Sequence, residues 1–208
     1  MPAGIHFSKP GQPGFILRYD PSINEHEAFS PPFPGNGPRG IDVDTQGIIW
    51  TALGGSGHLA RFDRKLCKQT WGRGDQCPEG WKLWRTPGPQ FKAEREVMGS
   101  GSNDMHYYIW VDQFDTLGMD SDTVIINGTA SDSLIAFNQK AETFTVIRVR
   151  YPFTTYTRGA VGRIDDPKSG WKGRGLWFTN GQAPIFQSEI PKKTYAGKIQ
   201  LRPSPLAH

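Results

Sequence analysis

The densest run of acids is WVDQFDTLGMDSD, residues 110–122, where Asp112 and Asp115 flank Phe114 and Asp120 and Asp122 follow. Clustered carboxylates with a glycine between them suit a hard cation held by oxygens, Mg²⁺ or Ca²⁺. The run lacks the D-x-D-x-D-G order of a calcium loop, so Asp112 and Asp115 are metal candidates by composition alone. Asp42 and Asp44 lie two apart and so share a strand face. Asp44 opens D-T-Q-G, Asp first and Gly fourth, as a type I turn favours, which leaves Asp42 in solvent. Asp165-Asp166-Pro167 also reads as turn chemistry. His6, His26 and His208 fall in loops or near the ends. His58 alternates with Leu59 and is expected to be exposed. His106 lies near acids, but no Ser or Cys nucleophile pattern accompanies it. The glycine clusters at 54–57 and 99–101 lack the lysine and helix of a phosphate loop. Asn127-Gly128-Thr129 fits a glycosylation sequon, although Asn-Gly is also the favoured pair of a hairpin turn.

Two cysteines, Cys67 and Cys77, bound a polar, glycine-containing stretch of nine residues. With no histidine or second cysteine pair beside them, a four-ligand zinc site is not expected. A disulfide pinning the tip of a hairpin is the favoured reading, two free thiols the alternative. A bridge implies an oxidising compartment, periplasmic or extracellular. The opening MPAGIHFSKPGQPG has neither the charged start nor the apolar core of a signal peptide, so export is expected for a longer protein of which this chain is a piece. No run of 18 apolar residues occurs, and no membrane span is expected.

These groups sit on short strands. In PRGIDVDTQGIIWTALGGSGHLARFD, residues 38–63, Ile41 and Val43 alternate with Asp42 and Asp44, as in a half-buried strand. Ile48 to Ala52 is β-branched and aromatic, suiting a strand buried on both faces. After the Gly54–Gly57 break, His58 to Asp63 resumes the alternation. The third-strand pattern recurs as FILRYD (15–20), LARFD (59–63), LIAFN (134–138) and, more weakly, GKIQLR (197–202). RGIDVDTQGIIWTA (39–52) has a counterpart in GRIDDPKSGWKGRGLWFTN (162–180), and 106–127 holds a diverged copy. Four-strand units at intervals of about 40 residues or more are the signature of a β-propeller. The predicted fold is therefore all-β, an incomplete propeller over 1–208. It comprises a partial blade at 14–32, blades at 38–88 and 106–152, and a partial blade at 159–203, thirteen strands in all. The extra length falls in two insertions, Gln90–Met105 and Arg158–Gly175. A sandwich of two facing layers is the competing fold. Only Ala93–Val97 has helical propensity, and it is too short to propagate without packing.

Residues 140–208 carry 12 Lys and Arg against 4 Asp and Glu, whereas 1–139 carry 12 against 16. A basic end can attract nucleic acid, but the cations are scattered and lack aromatic interleaving, so a nucleic-acid partner is not expected.

The motif G-I-x-V-D-x-x-G-x-I-W followed by L-A-R-F-D resembles the streptogramin lyase (virginiamycin B lyase) family, carried by GIDVDTQGIIWTA and GRGLWFTN. The resemblance implies a seven-bladed propeller with a magnesium-assisted site in its central funnel, where an elimination opens a cyclic depsipeptide ester. It places a His just before a first strand and a Glu at the end of a second strand. Where the family has P-H-G-I this chain has Pro38-Arg39-Gly40-Ile41. Where the family has W-F-T-E it has Trp50-Thr51-Ala52-Leu53 and Trp177-Phe178-Thr179-Asn180. Arginine cannot act as a base at neutral pH, and neither Leu53 nor Asn180 supplies a charged ligand. The expected function is thus a non-catalytic binding or scaffold segment of a larger exported bacterial protein. Arg39, Asn127, Arg163 and Asn180 would face a small-molecule or protein ligand at the channel. Further blades of a longer chain, or self-association, would complete the ring. The alternative is a metal-assisted lyase or esterase-type hydrolase with Mg²⁺ or Ca²⁺ in the channel, its acids drawn from Asp112, Asp115 or Asp165.

Overall fold

The computed structural model describes residues 14–88, 104, 106–129, 131–150, 153, 155, 157, 159–164, 174–180 and 195–201. Four sheets, antiparallel but for one two-residue strand in the first, follow one another along the chain. The first joins β1 (Ile16–Asp20) to β2 (Glu25–Phe29). The second is β3 (Pro38–Val43), β4 (Ile49–Leu53), β5 (His58–Phe62) and, after a two-residue β6 (Arg73–Gly74), β7 (Trp81–Arg85). The third is β8 (Ile109–Asp112), β9 (Thr123–Gly128), β10 (Ser133–Asn138) and β11 (Thr143–Arg148). The fourth is β12 (Ala160–Ile164), β13 (Arg174–Asn180) and β14 (Tyr195–Ile199). The predicted helical piece Ala93–Val97, the turn Asp165-Asp166 and the glycines at 99–101 lie outside the described residues.

The strands stay short because each is ended by residues that suit a turn. Asp44 Oδ1 accepts from the backbone N–H groups of Gln46 and Ile48, and Gly47 N–H reaches Asp44 O at 3.0 Å. Asp112 does the same one sheet later, its two carboxylate oxygens taking Thr116 N–H at 2.8 Å and Leu117 N–H at 3.0 Å.

Period two decides what each face buries. In β10, Ile135 and Phe137 turn toward the second sheet, while Leu134 and Ala136 turn toward the fourth. In β4, Trp50 and Ala52 face the third sheet and Leu53 faces the first. The core is accordingly three layers of side chains between four sheets, not one layer between two. That excludes the two-layer sandwich. The first strands of successive sheets meet as well, β3 against β8 and β8 against β12. They are the inner strands of an arc, and the sheets do not close into a ring.

Gly40 marks how closely the inner strands approach. Its φ of +65° falls where a register shift separates Arg39 from Ile41, and a Cβ there would come within 3.0 Å of Ile109 N. Asp42, expected in solvent, instead accepts Val111 N–H of the neighbouring sheet at 2.7 Å through Oδ2. An inner strand has one free edge, and here a side chain satisfies the backbone group that edge would leave open.

The Cys67–Cys77 disulfide is formed, but its loop is not a hairpin tip. It runs outward from the second sheet, and β6 pairs in parallel with β2, Ala28 opposite Arg73 and Phe29 opposite Gly74. A fourteenth strand thereby ties the partial first sheet to the second, and Cys77 packs with Phe29 and Phe62. Among the described residues no helix is long and apolar enough to cross a membrane.

Candidate functional site

First strands begin, and second strands end, on one edge of the arc. Arg39, near the start of β3, lies opposite Ala52. Its guanidinium carbon sits 5.1 Å from the centre of the Tyr107 ring, which comes from the segment entering β8. Arg39 is half-buried, and the ring covers one face of the cation.

Behind this pair lies a dry polar network that sequence reading did not assemble. His106 is fully buried, with Nδ1 2.7 Å from Asn127 O and Nε2 2.9 Å from Thr86 Oγ1. A carbonyl only accepts, so Nδ1 carries the proton, and in the neutral ring Nε2 accepts the Thr86 hydroxyl. Gly57 O, also near that hydroxyl, keeps the Thr86 N–H at 3.0 Å. The imidazole thus links the residue that follows β7 of the second sheet to β9 of the third, and both its nitrogens are engaged. Asp104, also buried, accepts Ser131 N–H and the Ser131 hydroxyl, each at 2.9 Å, and Ser131 Oγ lies 2.6 Å from Ser133 Oγ. Thr155 donates to Ser133 O at 3.1 Å. The one signal of this network in the sequence is the polar density of Thr129–Ser133. Its partners at 86, 104 and 155 are too far along the chain to be paired by spacing.

The expected site residues divide. Asn127 reaches this edge but is buried, its Oδ1 accepting Tyr108 N–H and its Nδ2 donating to Thr129 Oγ1, both at 2.9 Å. It positions the segment that carries Tyr107. Asn180 closes β13 on the same edge and is buried. Arg163 lies opposite Gly175, toward the far end of β12 from Ala160, and the backbone does not bring it beside Arg39. Leu53, at the position of the family's carboxylate, is fully buried in the first interface. At the opposite edge Asp112 has both oxygens bound to backbone N–H groups. Asp120 accepts from Asn138 Nδ2, and Asp122 accepts from the backbone and hydroxyl of Thr45. These acids close loops and join sheets, and the backbone at Asp115, φ 50°, takes part in the same turn. Among the described residues no three His, Cys, Asp or Glu side chains come together as a metal would need.

Burial holds His106 below the ordinary histidine value, against the opposing pull of Asn127 O and the Asp104 charge. Burial does the same to His58, helped by the Arg85 charge. His58 is half-buried beside Arg85, its partner across the β5–β7 ladder, not exposed as the alternation suggested. A folded-state pKa below the unfolded one means that the unfolded chain binds the proton first. Stability is then complete above about pH 6.5 and falls as pH drops below it, for His106 by up to about 1.4 kcal/mol per pH unit. Thermal melts from pH 7.5 to 5.5 are expected to show a falling melting temperature, with a shallower fall in His106→Gln. A flat profile in the parent chain contradicts the buried neutral ring.

No family model and no curated protein matches the chain. Solved structures do. Virginiamycin B lyase from Staphylococcus aureus is similar with a TM-score of 0.54 at 13% identity, over 93% of this chain and 50% of that one. A catalytically inactive variant of that lyase, crystallised with quinupristin, is similar with a TM-score of 0.50 at 12% identity, over the same shares. The fold is streptogramin lyase-like, an open arc of propeller-type sheets. The chain spans about half the length of the lyase chains it matches. At this identity the likeness concerns the streptogramin lyase-like fold alone.

Proposed function

We propose that this chain is a non-catalytic binding element, a segment of a larger exported propeller, which receives a small molecule or a protein segment at the edge where its inner strands begin. The observation that supports the reading is Arg39 stacked on Tyr107 at that edge. In the motif the sequence resembles, the Arg39 position is a histidine and the Leu53 and Asn180 positions are a glutamate, and both Leu53 and Asn180 are buried. A guanidinium with one covered face favours carboxylate, phosphate or carbonyl-rich ligands and cannot abstract a proton at neutral pH. The buried His106 adds no base, because its free lone pair is occupied by Thr86. The Cys67–Cys77 bridge supports export.

Arg39→Ala and Asn180→Ala test the reading by calorimetric titration against a panel of cyclic depsipeptides and acidic peptides. At least one member is expected to bind the parent chain and to lose about tenfold or more in affinity with Arg39→Ala, the scale of one charge-assisted hydrogen bond. Unchanged affinity in both variants overturns the assignment. Quinupristin, the ligand in the lyase complex, is expected to remain unopened. Millimolar Mg²⁺ or Ca²⁺ is expected to leave the melting temperature unchanged, whereas the metal-assisted alternative requires it to rise.

A further inference from the structure

A guanidinium taken partly out of water costs free energy unless an acceptor or an anion meets its N–H groups. Elsewhere among the described residues such partners are present. Arg18 reaches Asp20 at 2.8 Å and Glu27 at 3.1 Å, Arg61 reaches Asp63 at 3.4 Å, and Arg64 reaches Glu27 at 2.6 Å. Arg148 donates to Ser131 O at 2.8 Å. Arg39 differs. It is half-buried, yet among the described residues no carboxylate, carbonyl or hydroxyl accepts from it. What it meets there is the Tyr107 ring, 5.1 Å from the guanidinium carbon.

The fold fixes this cation in advance. Gly40, with φ +65°, is the extra residue of a bulge between Arg39 and Ile41, and its carbonyl accepts from Thr51 Oγ1 at 2.8 Å. A bulge re-aims the side chain beside it. Arg39 then passes over Gly54, where an added Cβ would lie 3.4 Å from Arg39 Cγ and 3.5 Å from His106 O. The Tyr107 ring is anchored from both sides, by the two hydrogen bonds of buried His106 and by Tyr108 N–H to Asn127 Oδ1 at 2.9 Å. The buried polar network thus holds a platform for a cation. Other charges close to this edge are turned away or engaged. Asp104 accepts from Ser131. Arg85 lies in register with His58 and Leu53, and Leu53 faces the first sheet.

We infer that Arg39 on its Tyr107 platform is a carboxylate-binding subsite, the guanidinium fork meeting both oxygens of a small organic acid or of a peptide's terminal carboxylate. The inference rests on the proposed binding edge and narrows its ligand. A planar carboxylate matches two parallel N–H donors and brings one negative charge to one positive one. A phosphate monoester brings about −1.5 to −2 at neutral pH. Arg148, at the same end of the third sheet, is committed to Ser131 O, and Arg85 turns to the other face of the second, so neither answers that further charge.

The Arg39 Nε–H signal in proton–nitrogen correlation spectra of the 208-residue chain tests this. The probes, added at constant ionic strength, are acetate, acetyl-diglycine, acetyl-diglycine amide and inorganic phosphate. Acetate and the free peptide acid are expected to move the signal saturably, and the amide to leave it still. Tighter binding of the peptide acid than of acetate marks a peptide terminus as the source, and the reverse marks a small acid. Arg39→Lys, read on the Tyr107 amide, keeps the charge without the fork and is expected to weaken binding about tenfold, the scale of one charge-assisted hydrogen bond. Tyr107→Leu is expected to weaken it about two- to fivefold, the scale of one exposed cation–π contact. Backbone amide spectra that match the parent's show each variant folded. A drift that never saturates, an equal shift with the amide, undiminished binding in Arg39→Lys, or phosphate binding more tightly than either acid overturns the inference. If a neutral cyclic depsipeptide binds through Arg39 while no acid moves this signal, the inference fails and the proposed binding edge stands. If acetate binds through Arg39 while Arg39→Ala and Asn180→Ala change the affinity of no larger ligand, the subsite stands and the proposed edge fails.

Discussion

Replacing Trp50 with Ala is expected to destabilise the protein by about 3–5 kcal/mol, the range for removing a buried large aromatic from a packed core. Trp50 is 1% exposed and lies in the layer between the second and third sheets. Its ring stacks 5.7 Å from Trp84 and lies 5.9 Å from Phe137, a residue of the next sheet. Its indole Nε1–H donates to Asp44 Oδ2 at 3.0 Å. The change therefore removes apolar contact across the seam and also a donor from a buried carboxylate. Denaturant unfolding followed by circular dichroism measures the loss. If the sheets were independent, a defect at this seam would leave the third sheet's transition unmoved. In a stacked arc both sheets lose stability together. A loss under about 1 kcal/mol would mean that Trp50 does not fill the interface.

Glu27→Ala is expected to have the next largest effect. The Glu27 side chain is wholly buried and accepts from Arg64 Nε at 2.6 Å, Arg64 Nη2 at 3.2 Å, Arg18 Nη1 at 3.1 Å and Trp71 N–H at 2.8 Å. Both guanidiniums also lie over the Trp71 ring, at 5.4 and 5.9 Å. Removing one partner of a buried ion pair costs about 3–5 kcal/mol. The lower end, about 3 kcal/mol, applies here because Arg18 and Arg64 each keep about a third of their side-chain surface in water and recover hydration. Burial works against the charge on Glu27, but Arg64, the Trp71 N–H and Arg18 outweigh it and hold the carboxyl below the ordinary glutamate value. Its contribution is thus complete above that value and is lost as pH falls through the lower native one. Comparison of the parent and Glu27→Gln across the acidic limb should show the parent's advantage at neutral pH shrinking below about pH 4.5. A constant difference at all pH values would contradict the clamp.

What could be seen in the chain beforehand was whatever depends on near neighbours. Alternation in SLIAF and HLARF is local, so strand identity and the number of sheets were legible, and the turn role of Asp44 followed from its place ahead of Gly47. The pairing of those strands across sheets was not. Asp42 was assigned to solvent because its strand shows one polar face, yet the group it meets, Val111 N–H, lies 69 residues on. The parallel pairing of β6 with β2 depends on a loop leaving its own sheet, and a two-residue strand has no periodicity to detect. The candidate edge was half legible. Arg39 and Asn180 were placed there by motif position, while the His106–Thr86 and Asp104–Ser131 links join residues 20 and 27 apart that no local pattern pairs.

The central claim is that sheets succeed one another around an axis, with β3, β8 and β12 adjacent in that order. Proton–proton Overhauser contacts among these strands test it most directly. The account predicts cross-peaks between Gly40 and the Ile109 amide and between Gly162 and the Trp110 ring, since a Cβ on either glycine would collide with those groups. Absence of both, with β12 protons found instead against β3, would place the sheets in two facing layers and contradict the arc.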